Sequence, residues 1–493
     1  MSAPAPSTEP QTPRRHKQRV NETIRYQGIR RQLPRELSVD GIRASVKRRF
    51  NLSFDVDLWQ AHLIRRVIQG YDAFVIAGTG YGKSILFEAA AALARKPRRL
   101  VLVVAPLKAL ERDQAEQASA KGLKTIVLNE DTSKDWKEWD RARTQAQLAY
   151  LSPEMIQSDS FANRLWKDEG FRKRLAAVIV DEAHCIDEWG GDDFRPIYRD
   201  LHQLRVFTGS EVPVIACTAT ARTSTFSTIW KSLGFGQRPF WGIDVGIERP
   251  NLFFHVRALQ HPRKPILEVL SFLPLVLNDG TTRSSIDKGI IYFDSEAKCR
   301  SMVNDIRKCL PPHLRDAVFA YSSNLSEKAK QRCWQRFLDG ELRIICATDA
   351  AGMGCNVPNV QFIIIFLCPK SFAAVMQRWG RAGRDRVTAA YCLLIVESWA
   401  FRPRIPAVVA RQVRGLPRPP KPESKTSAVK REKLDSALEQ FINLEAPNCL
   451  HAFMRRTFRP DTGLTTTSMD HNLQHRISGP RHGPRSQSIP FDT

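Results

Sequence analysis

Short apolar runs alternate with longer segments of mixed charge over most of the chain. Runs this short and this apolar are typical of buried strands, and the segments between them are long enough for helices. In the first half the runs cover residues 73–78, 100–106, 125–129, 148–153, 176–184 and 214–220. The alternation predicts a parallel sheet covered by helices on both faces.

The same alternation restarts after a less regular stretch around Gly242 to Pro265. The later runs cover residues 289–293, 317–322, 343–349, 361–366 and 390–396. We therefore predict an α/β chain with two tandem lobes, the first over residues 39–245 and the second over 246–400.

The ends of the chain differ from its middle. Residues 1–38 are rich in Pro, Ser, Arg and Gln, and we expect most of this basic tail to be disordered before a short amphipathic helix over Val39 to Phe50. Residues 401–493 begin as a Pro/Arg linker. The pattern there predicts one helix, about Lys433 to Leu444, and no further core-forming segment.

Charge changes the picture of what the protein binds. The 493 residues include 75 Lys and Arg against 51 Asp and Glu, a net charge of +24, and residues 1–50 and 401–493 each contribute +8. Such an excess suggests a polyanionic partner. No apolar run approaches the roughly 18 residues of a membrane span, and we predict no membrane partner. Ten scattered cysteines favour a reducing compartment; we expect the nucleus, or the cytoplasm if the source is prokaryotic.

A glycine-rich loop follows the first strand-like run. The sequence AGTGYGKS, residues 77–84, lies between that run and a helical pattern, which is the context of a phosphate-binding loop. Gly78, Thr79, Gly80 and Gly82 would present backbone N–H groups to phosphates, Lys83 would reach the β- and γ-phosphates, and Ser84 would hold Mg²⁺. The alternative is a glycine-rich turn without a ligand.

Two adjacent acids end a later strand-like run, AVIVDEAH. Asp181 is placed to hold Mg²⁺, and Glu182 to take a proton from an attacking water. An exposed acidic turn is the alternative. Together with the phosphate loop, the pair favours an ATP hydrolase.

The order of further motifs resembles that of superfamily 2 nucleic-acid helicases and, within them, the RecQ family of DNA helicases. The resemblance covers residues 39 to 400 and includes ERPNLFF and ATDAAGMGCNVPNV as well as the two motifs above. It implies two RecA-like domains that bind ATP and Mg²⁺ between them. It also implies 3′ to 5′ translocation on single-stranded DNA and unwinding of forked DNA, in recombination and repair.

The resemblance assigns roles to single residues. Gln60 stands where the family reads adenine, and APLKALERDQ and YLSPEMI match motifs that contact the DNA strand. In the stretch DEAHCIDEWGGDDFRPIY, the first four residues match the general nucleotide-hydrolysis box, whereas Trp189, Phe194 and Arg195 match the aromatic-rich loop of RecQ proteins, whose exposed rings can stack on bases. CTATA matches the motif that couples hydrolysis to strand movement. The DNA-binding residues so implied are Pro106, Ser152, Trp189, Phe194, Arg195, Thr218 and Thr220.

The final motif, QRWGRAGRD, adds Gln377, Arg381 and Arg384 to the expected catalytic set. Its spacing predicts that both arginines lie one turn apart on one face of a helix. From there two guanidinium groups could point across the cleft at the γ-phosphate and stabilise its transition state. A helix with surface salt bridges is the alternative.

The chain departs from the family in two places. Val56 and Asp57 stand where an aromatic residue and an arginine usually help to hold adenine. Only NCLHAFMRRTF resembles the start of the family's zinc-binding segment, with Cys449 in the place of its first cysteine and no C-x-x-C after it. We therefore predict no zinc and expect a C-terminally truncated member. Two alternatives remain open: a decayed helicase that binds DNA with little or no unwinding, and an RNA helicase.

Overall fold

A computed structural model describes most of the chain in two lobes and a C-terminal segment. The described residues are 38–94, 99–132, 134–188, 195–209, 211–272, 281–351, 357–402, 425–445, 449–458 and 465–466. Of the basic tail predicted over residues 1–38, all but Ser38 lies outside them, as does most of the Pro/Arg linker. Within these ranges, no helix is both long enough and apolar enough to cross a bilayer.

The first lobe contains a parallel sheet with helices on both faces. Its strands are β1 Asp72–Ala77, β2 Leu100–Val104, β3 Thr125–Leu128, β4 Leu148–Leu151, β5 Leu175–Val180, β6 Val214–Thr218 and β7 Phe240–Gly246. Its helices are α1 Val39–Arg49, α2 Leu58–Ile68, α3 Ser84–Leu93, α4 Lys108–Ala120, α5 Trp136–Thr144, α6 Pro153–Ile156, α7 Asp159–Phe161, α8 Glu169–Arg174, α9 Cys185–Glu188, α10 Leu204–Thr208 and α11 Thr223–Ser232. The strand order is β7-β1-β6-β5-β2-β4-β3.

The second lobe repeats this design with a six-stranded parallel sheet in the order β10-β11-β9-β12-β13-β8. Its strands are β8 Leu252–Ala258, β9 Gly289–Tyr292, β10 Val318–Tyr321, β11 Ile344–Ala347, β12 Phe362–Phe366 and β13 Ala390–Val396. Its helices are α12 Ile266–Leu270, α13 Glu296–Cys309, α14 Glu327–Leu338 and α15 Phe372–Trp379.

Side chains alternate between two cores in each lobe. On β1, Phe74 and Ile76 belong to one buried cluster, whereas Ala73 and Val75 belong to the cluster on the opposite face. All four side chains are fully buried, as expected for a parallel strand covered on both sides. The predicted fold, two α/β lobes with parallel sheets, is confirmed.

A C-terminal segment, residues 425–466, joins both lobes. Its elements are α16 Lys425–Glu432, α17 Ser436–Ile442, α18 Leu450–Thr457 and β14 Thr465–Thr466. Phe441, Phe453 and Phe458 pack around Phe372 of α15, with ring centroids 4.5, 5.8 and 5.2 Å away. β14 instead pairs with β7 at the edge of the first sheet.

One expectation from the pattern is wrong, and one stretch that the pattern left unassigned contains strands. The predicted helix near 433–444 is α17, but α18 also contributes buried side chains, so the segment after residue 444 does have a core-forming part. Its apolar residues are too few and too far apart to show a period over eight residues. The stretch Gly242 to Pro265 contains most of β7 and all of β8. β8 is an edge strand whose side chains alternate between buried and exposed over residues 252–255, so it lacks a continuous apolar run.

Candidate active site

The phosphate loop joins β1 to α3 at the carboxyl edge of the first sheet. Gly80 and Gly82 have φ angles of +83° and +75°, a region that side chains with a Cβ rarely adopt, and Ser84 is the first residue of α3. The Lys83 ammonium lies within the loop, where Nζ donates to the carbonyl oxygens of Ala77 at 2.8 Å and Gly78 at 3.5 Å. The loop therefore fits a polyphosphate at the start of a helix.

Gln60 connects α2 to this loop. Its Oε1 accepts from the Asp57 backbone N–H at 2.8 Å, and its Nε2 donates to the carbonyls of Tyr81 and Gly82 at 3.1 and 3.2 Å. A Cβ added to Gly82 would lie 2.9 Å from that Nε2. Gln60 thus supports the loop, and its predicted contact with adenine stays a prediction.

Asp181 and Glu182 end β5 beside the loop. Asp181 is 5% exposed and accepts hydrogen bonds from Glu182 N–H at 3.0 Å and Gln114 Nε2 at 2.9 Å. Burial, reinforced by the charge of Glu182, raises the pKa of Asp181 to about 6, although Lys83 opposes the shift. A buried carboxylate that lacks sufficient positive charge is a suitable ligand for a divalent cation, and Ser84 is the hydroxyl that would share it.

A hydrogen-bonded chain crosses from this acid pair to the second lobe. The His184 ring is 1% exposed; its Nδ1 lies 3.0 Å from Thr218 Oγ1 and 3.4 Å from Glu182 Oε2. Its Nε2 lies 2.6 Å from Gln377 Nε2 on α15. Both ring nitrogens thus have a hydrogen-bond partner, Thr218 on one side and Gln377 on the other.

Arg381 and Arg384 follow α15 on a turn, not on a helix as predicted. The helix ends at Trp379 because Gly380 and Gly383 follow it, and Gly383 has a φ of +45°. A side chain at Gly380 would collide with the Thr79 hydroxyl, and the Arg384 carbonyl oxygen lies 3.6 Å from the Cβ position of Gly80. The turn therefore lies directly against the phosphate loop.

The charges of both arginines also act on α4 of the first lobe. Burial raises the pKa of Asp113, and the nearby positive charges of Arg384 and Arg381 partly oppose that rise. Both arginines therefore lie near α4 of the first lobe, and their predicted catalytic role, like that of Lys83, stays a prediction.

Arg249 is a site residue whose role the sequence did not reveal. It is 5% exposed and donates to the Thr79 carbonyl at 3.1 Å, to the Ala382 carbonyl at 2.8 Å and to the Gly383 carbonyl. One guanidinium group therefore joins the phosphate loop to the arginine-bearing turn. The ERPNLFF motif contains this residue, but only the folded chain shows what it contacts.

The predicted DNA-contacting residues of β2 and β4 lie side by side at the same sheet edge. Pro106 follows β2, and Ser152 follows the adjacent β4, where its Oγ accepts from Met155 N–H at 3.1 Å. Arg195 joins the two sites, because it donates to the Pro106 carbonyl and forms a bidentate pair with Glu154 at 2.5–2.9 Å. Arg195 thus stabilises this surface by linking Pro106 to Glu154, and its predicted contact with a DNA strand stays a prediction.

The remaining predicted DNA contacts differ in position. Thr218 and Thr220 are 0% and 5% exposed, and Thr218 Oγ1 donates to the Thr220 carbonyl at 2.8 Å. Their burial beside His184 favours a coupling role over direct contact with a strand. Trp189 and Phe194 lie outside the described residues.

Cys449, the position of the family's first zinc ligand, is exposed at the start of α18. Among the described residues no three His, Cys, Asp or Glu side chains are grouped as a metal site would need. The absence of zinc stays a prediction.

Glu111 makes the stability of the folded protein depend on pH. It is fully buried on α4; Oε2 accepts from Asn129 Nδ2 at 2.9 Å, and Oε1 has no hydrogen-bond partner in the described part of the chain. Burial raises the pKa of Glu111 from 4.5 to about 7. Because the folded state disfavours the carboxylate, the free energy of unfolding falls as pH rises from about 4.5 through 7.

Replacing Glu111 by Gln is therefore expected to stabilise the protein at pH 8 by at most about 3 kcal/mol. The gain should shrink towards zero at about pH 3.5, where the Glu111 carboxyl is mostly protonated in both states. Thermal unfolding of wild type, Glu111→Gln and the exposed control Glu130→Gln at both pH values measures this. Equal unfolding temperatures of wild type and Glu111→Gln at pH 8 would contradict it.

Comparison with known families supports the assignment of both lobes. Residues 58–229 match the DEAD/DEAH box helicase family, and residues 269–386 match the helicase conserved C-terminal domain. Among solved structures, the DUF1998 helicase MrfA bound to DNA and AMPPNP aligns with a TM-score of 0.60 at 17% identity, over 75% of this chain and 52% of that one. The Mycobacterium smegmatis helicase Lhr, bound to single-stranded DNA and AMP-PNP, aligns with a TM-score of 0.53 at 18% identity, over 72% of this chain and 47% of that one. These two similarities show the fold.

Three similar sequences carry the names of ATP-dependent DNA helicases. ATP-dependent DNA helicase Q-like 2 of Arabidopsis thaliana is 29% identical over 75% of this chain and 50% of its own. ATP-dependent DNA helicase RecQ of Haemophilus influenzae is 30% identical over 67% of this chain and 49% of its own, and that of Pasteurella multocida 31% over 67% and 48%. This chain thus spans about half the length of these relatives. From its two matched domains and these relatives, the chain belongs to the RecQ-like DEAD/DEAH box helicases.

Proposed function

We propose that this protein hydrolyses ATP in the cleft between its lobes and uses the cycle to move along single-stranded DNA and unwind duplex DNA. One observation supports this above all others: Gln377 and the arginine-bearing turn of the second lobe contact His184 and Thr79 of the first lobe. Residues that bind phosphate and residues that sense it are thereby held in one cleft.

Each side chain then has a defined task. Lys83 binds the β- and γ-phosphates, and Glu182 takes a proton from the attacking water. Asp181 and Ser84 would hold Mg²⁺, which supplies positive charge to the phosphate oxygens. Arg381 and Arg384 stabilise the charge on the transferred phosphoryl group.

Hydrolysis is coupled to the strand through α4 and β6. Pro106 lies just before α4, and Gln114 on the same helix donates to Asp181. Thr218 links the CTATA motif to His184. A DNA strand bound at the edge formed by Pro106 and Ser152 can therefore influence Asp181, the acid that would hold Mg²⁺.

The names of the relatives favour DNA as the substrate. We further propose 3′ to 5′ polarity, a preference for forked substrates, and a role in recombination and repair in the nucleus. Expression of the full chain with a fluorescent label tests the location, and a cytoplasmic signal would count against it.

ATP turnover with and without nucleic acid tests the central proposal. We expect single-stranded DNA to raise turnover about tenfold or more over the basal rate, and RNA of equal length to raise it less, because the 2′-OH distinguishes the two. Strand displacement on 3′-tailed, 5′-tailed and forked duplexes then tests unwinding. Turnover that DNA leaves unchanged would overturn the proposal, and DNA-stimulated turnover without displacement would indicate a DNA-binding ATPase that does not unwind.

A further inference from the structure

Asp435, the residue before α17, contacts three parts of the molecule. Its Oδ1 accepts from Leu438 N–H at 2.9 Å, which caps α17, and from Arg222 Nη2 of the first lobe at 2.8 Å. The backbone N–H of Phe372 in the second lobe lies close enough to the carboxylate to help hold down its pKa, against the effect of burial. One side chain of the C-terminal segment therefore bonds to the first lobe and lies beside α15 of the second.

The contact with Phe372 places negative charge at the beginning of α15. Phe372 is the first residue of that helix, and Ser371 before it accepts from Ala374 N–H at 3.2 Å. A carboxylate at a helix N-terminus compensates the exposed N–H groups there. Gln377, which binds His184, lies on the same helix, and the arginine-bearing turn follows it.

The contact with Arg222 reaches the other side of the cleft. Arg222 directly follows the CTATA motif and precedes α11. The side chains of Arg222 and Asp435 are 29% and 17% exposed, so water screens their ion pair only in part. Glu188 also lies near Arg222. Burial raises the pKa of Glu188, and the charge of Arg222 partly opposes that rise.

The C-terminal segment also packs against α15 through an aromatic side chain. Phe441 packs on Phe372 and lies 5.8 Å from Trp379. Both ends of α15 are thus supported by residues that follow position 424, with Asp435 at its first turn and Phe441 along its length.

We propose that Asp435 is a positioning residue for the nucleotide site, linking Arg222 after the CTATA motif to α15, which carries Gln377. The inference rests on the proposed ATPase function. The carboxylate orients α15 towards His184 and holds the C-terminal segment against the first lobe when the cleft is closed.

Asp435→Asn and Arg222→Gln test the link in the full-length protein. Asparagine still caps α17 well, so the first variant removes mainly the charge. We expect each single variant to lower DNA-stimulated kcat about fivefold while the KM for ATP changes less than about twofold. The double variant should be no slower than either single variant, because all three lack the same ion pair.

Glu439→Gln is the matched control. Glu439 lies on the same helix, α17, but pairs with Arg402 at 2.6 Å, and among the described residues it forms no ion pair with the first lobe. We expect the Glu439→Gln variant to have the same kcat as the wild type. Additive losses in the Asp435/Arg222 double variant, or an equal loss in Glu439→Gln, would overturn the inference.

A second measurement is independent of activity. Hydrogen–deuterium exchange of residues 372–379 should be faster in Asp435→Asn than in wild type and in Glu439→Gln. If the wild-type protein shows no DNA-stimulated turnover, the proposed function fails, and exchange still tests the link. Unchanged exchange together with unchanged kcat would refute it.

Discussion

Arg384→Ala is expected to lower ATP turnover by about 10³-fold or more while the protein still binds nucleotide. The turn that carries Arg384 lies against the phosphate loop, with its carbonyl oxygen 3.6 Å from the Cβ position of Gly80. A guanidinium in this place interacts with charge that develops only in the transition state. Its loss should therefore reduce kcat and leave the affinity for the ground-state nucleotide nearly unchanged.

Single-turnover hydrolysis and binding of a fluorescent non-hydrolysable ATP analogue separate the two effects. Arg384→Lys should recover little, because lysine lacks the planar fork of donors. Arg300→Ala, which removes an exposed arginine of α13 paired with Glu296, is the control and should behave as wild type. Loss of nucleotide binding equal to the loss of turnover would contradict the assigned role.

Lys83→Ala is expected to reduce turnover by about 10²- to 10³-fold and, unlike Arg384→Ala, to weaken nucleotide binding as well. The Lys83 ammonium is bound only by backbone carbonyls of its own loop in the recorded contacts, at 2.8 and 3.5 Å, so it can exchange them for phosphate oxygens. Its positive charge also holds down the pKa of Asp181. Without it, the metal-binding acid would hold its proton more tightly.

The same variant should keep its affinity for single-stranded DNA within about twofold at constant salt, because Lys83 lies apart from the surface formed by Pro106 and Ser152. Fluorescence anisotropy with labelled DNA measures this. Lys173→Ala is the matched control, because Lys173 is 66% exposed on α8, before β5, at the sheet edge opposite Asp181. A Lys83→Ala protein that hydrolyses ATP at the wild-type rate would exclude this loop as the catalytic site.

The strands were predictable where burial on both faces made them continuously apolar. The predicted runs lie within about two residues of β1 to β6 and β9 to β13, apart from polar residues added at the end of β5. β7 and β8 could not be found this way. On β8, Leu252 and Phe254 are buried but Phe253 and His255 are exposed. Because β8 lies at the edge of its sheet, its apolar and exposed side chains alternate, and it contains no continuous apolar run.

The candidate site was predictable as a set of residues but not as a set of contacts. Lys83, Asp181 and Arg384 come from three distant motifs, and their spacing says nothing of the Arg249 guanidinium that joins two of them. The chain through His184 to Gln377 spans 193 residues, so local pattern could not predict it. The helix predicted for Arg381 and Arg384 failed because Gly380 and Gly383 end it at Trp379.

The small strand β14 limits how far the two lobes can move apart. Phe458 is anchored in the core of the second lobe, whereas Thr465 is hydrogen-bonded into the sheet of the first. The seven peptide units between them can extend over at most about 25 Å. This length sets an upper limit on the distance between Phe458 and Thr465 while β14 stays paired with β7. At a larger separation of the lobes, we expect the two-residue pairing of β14 to be lost before either core is disrupted.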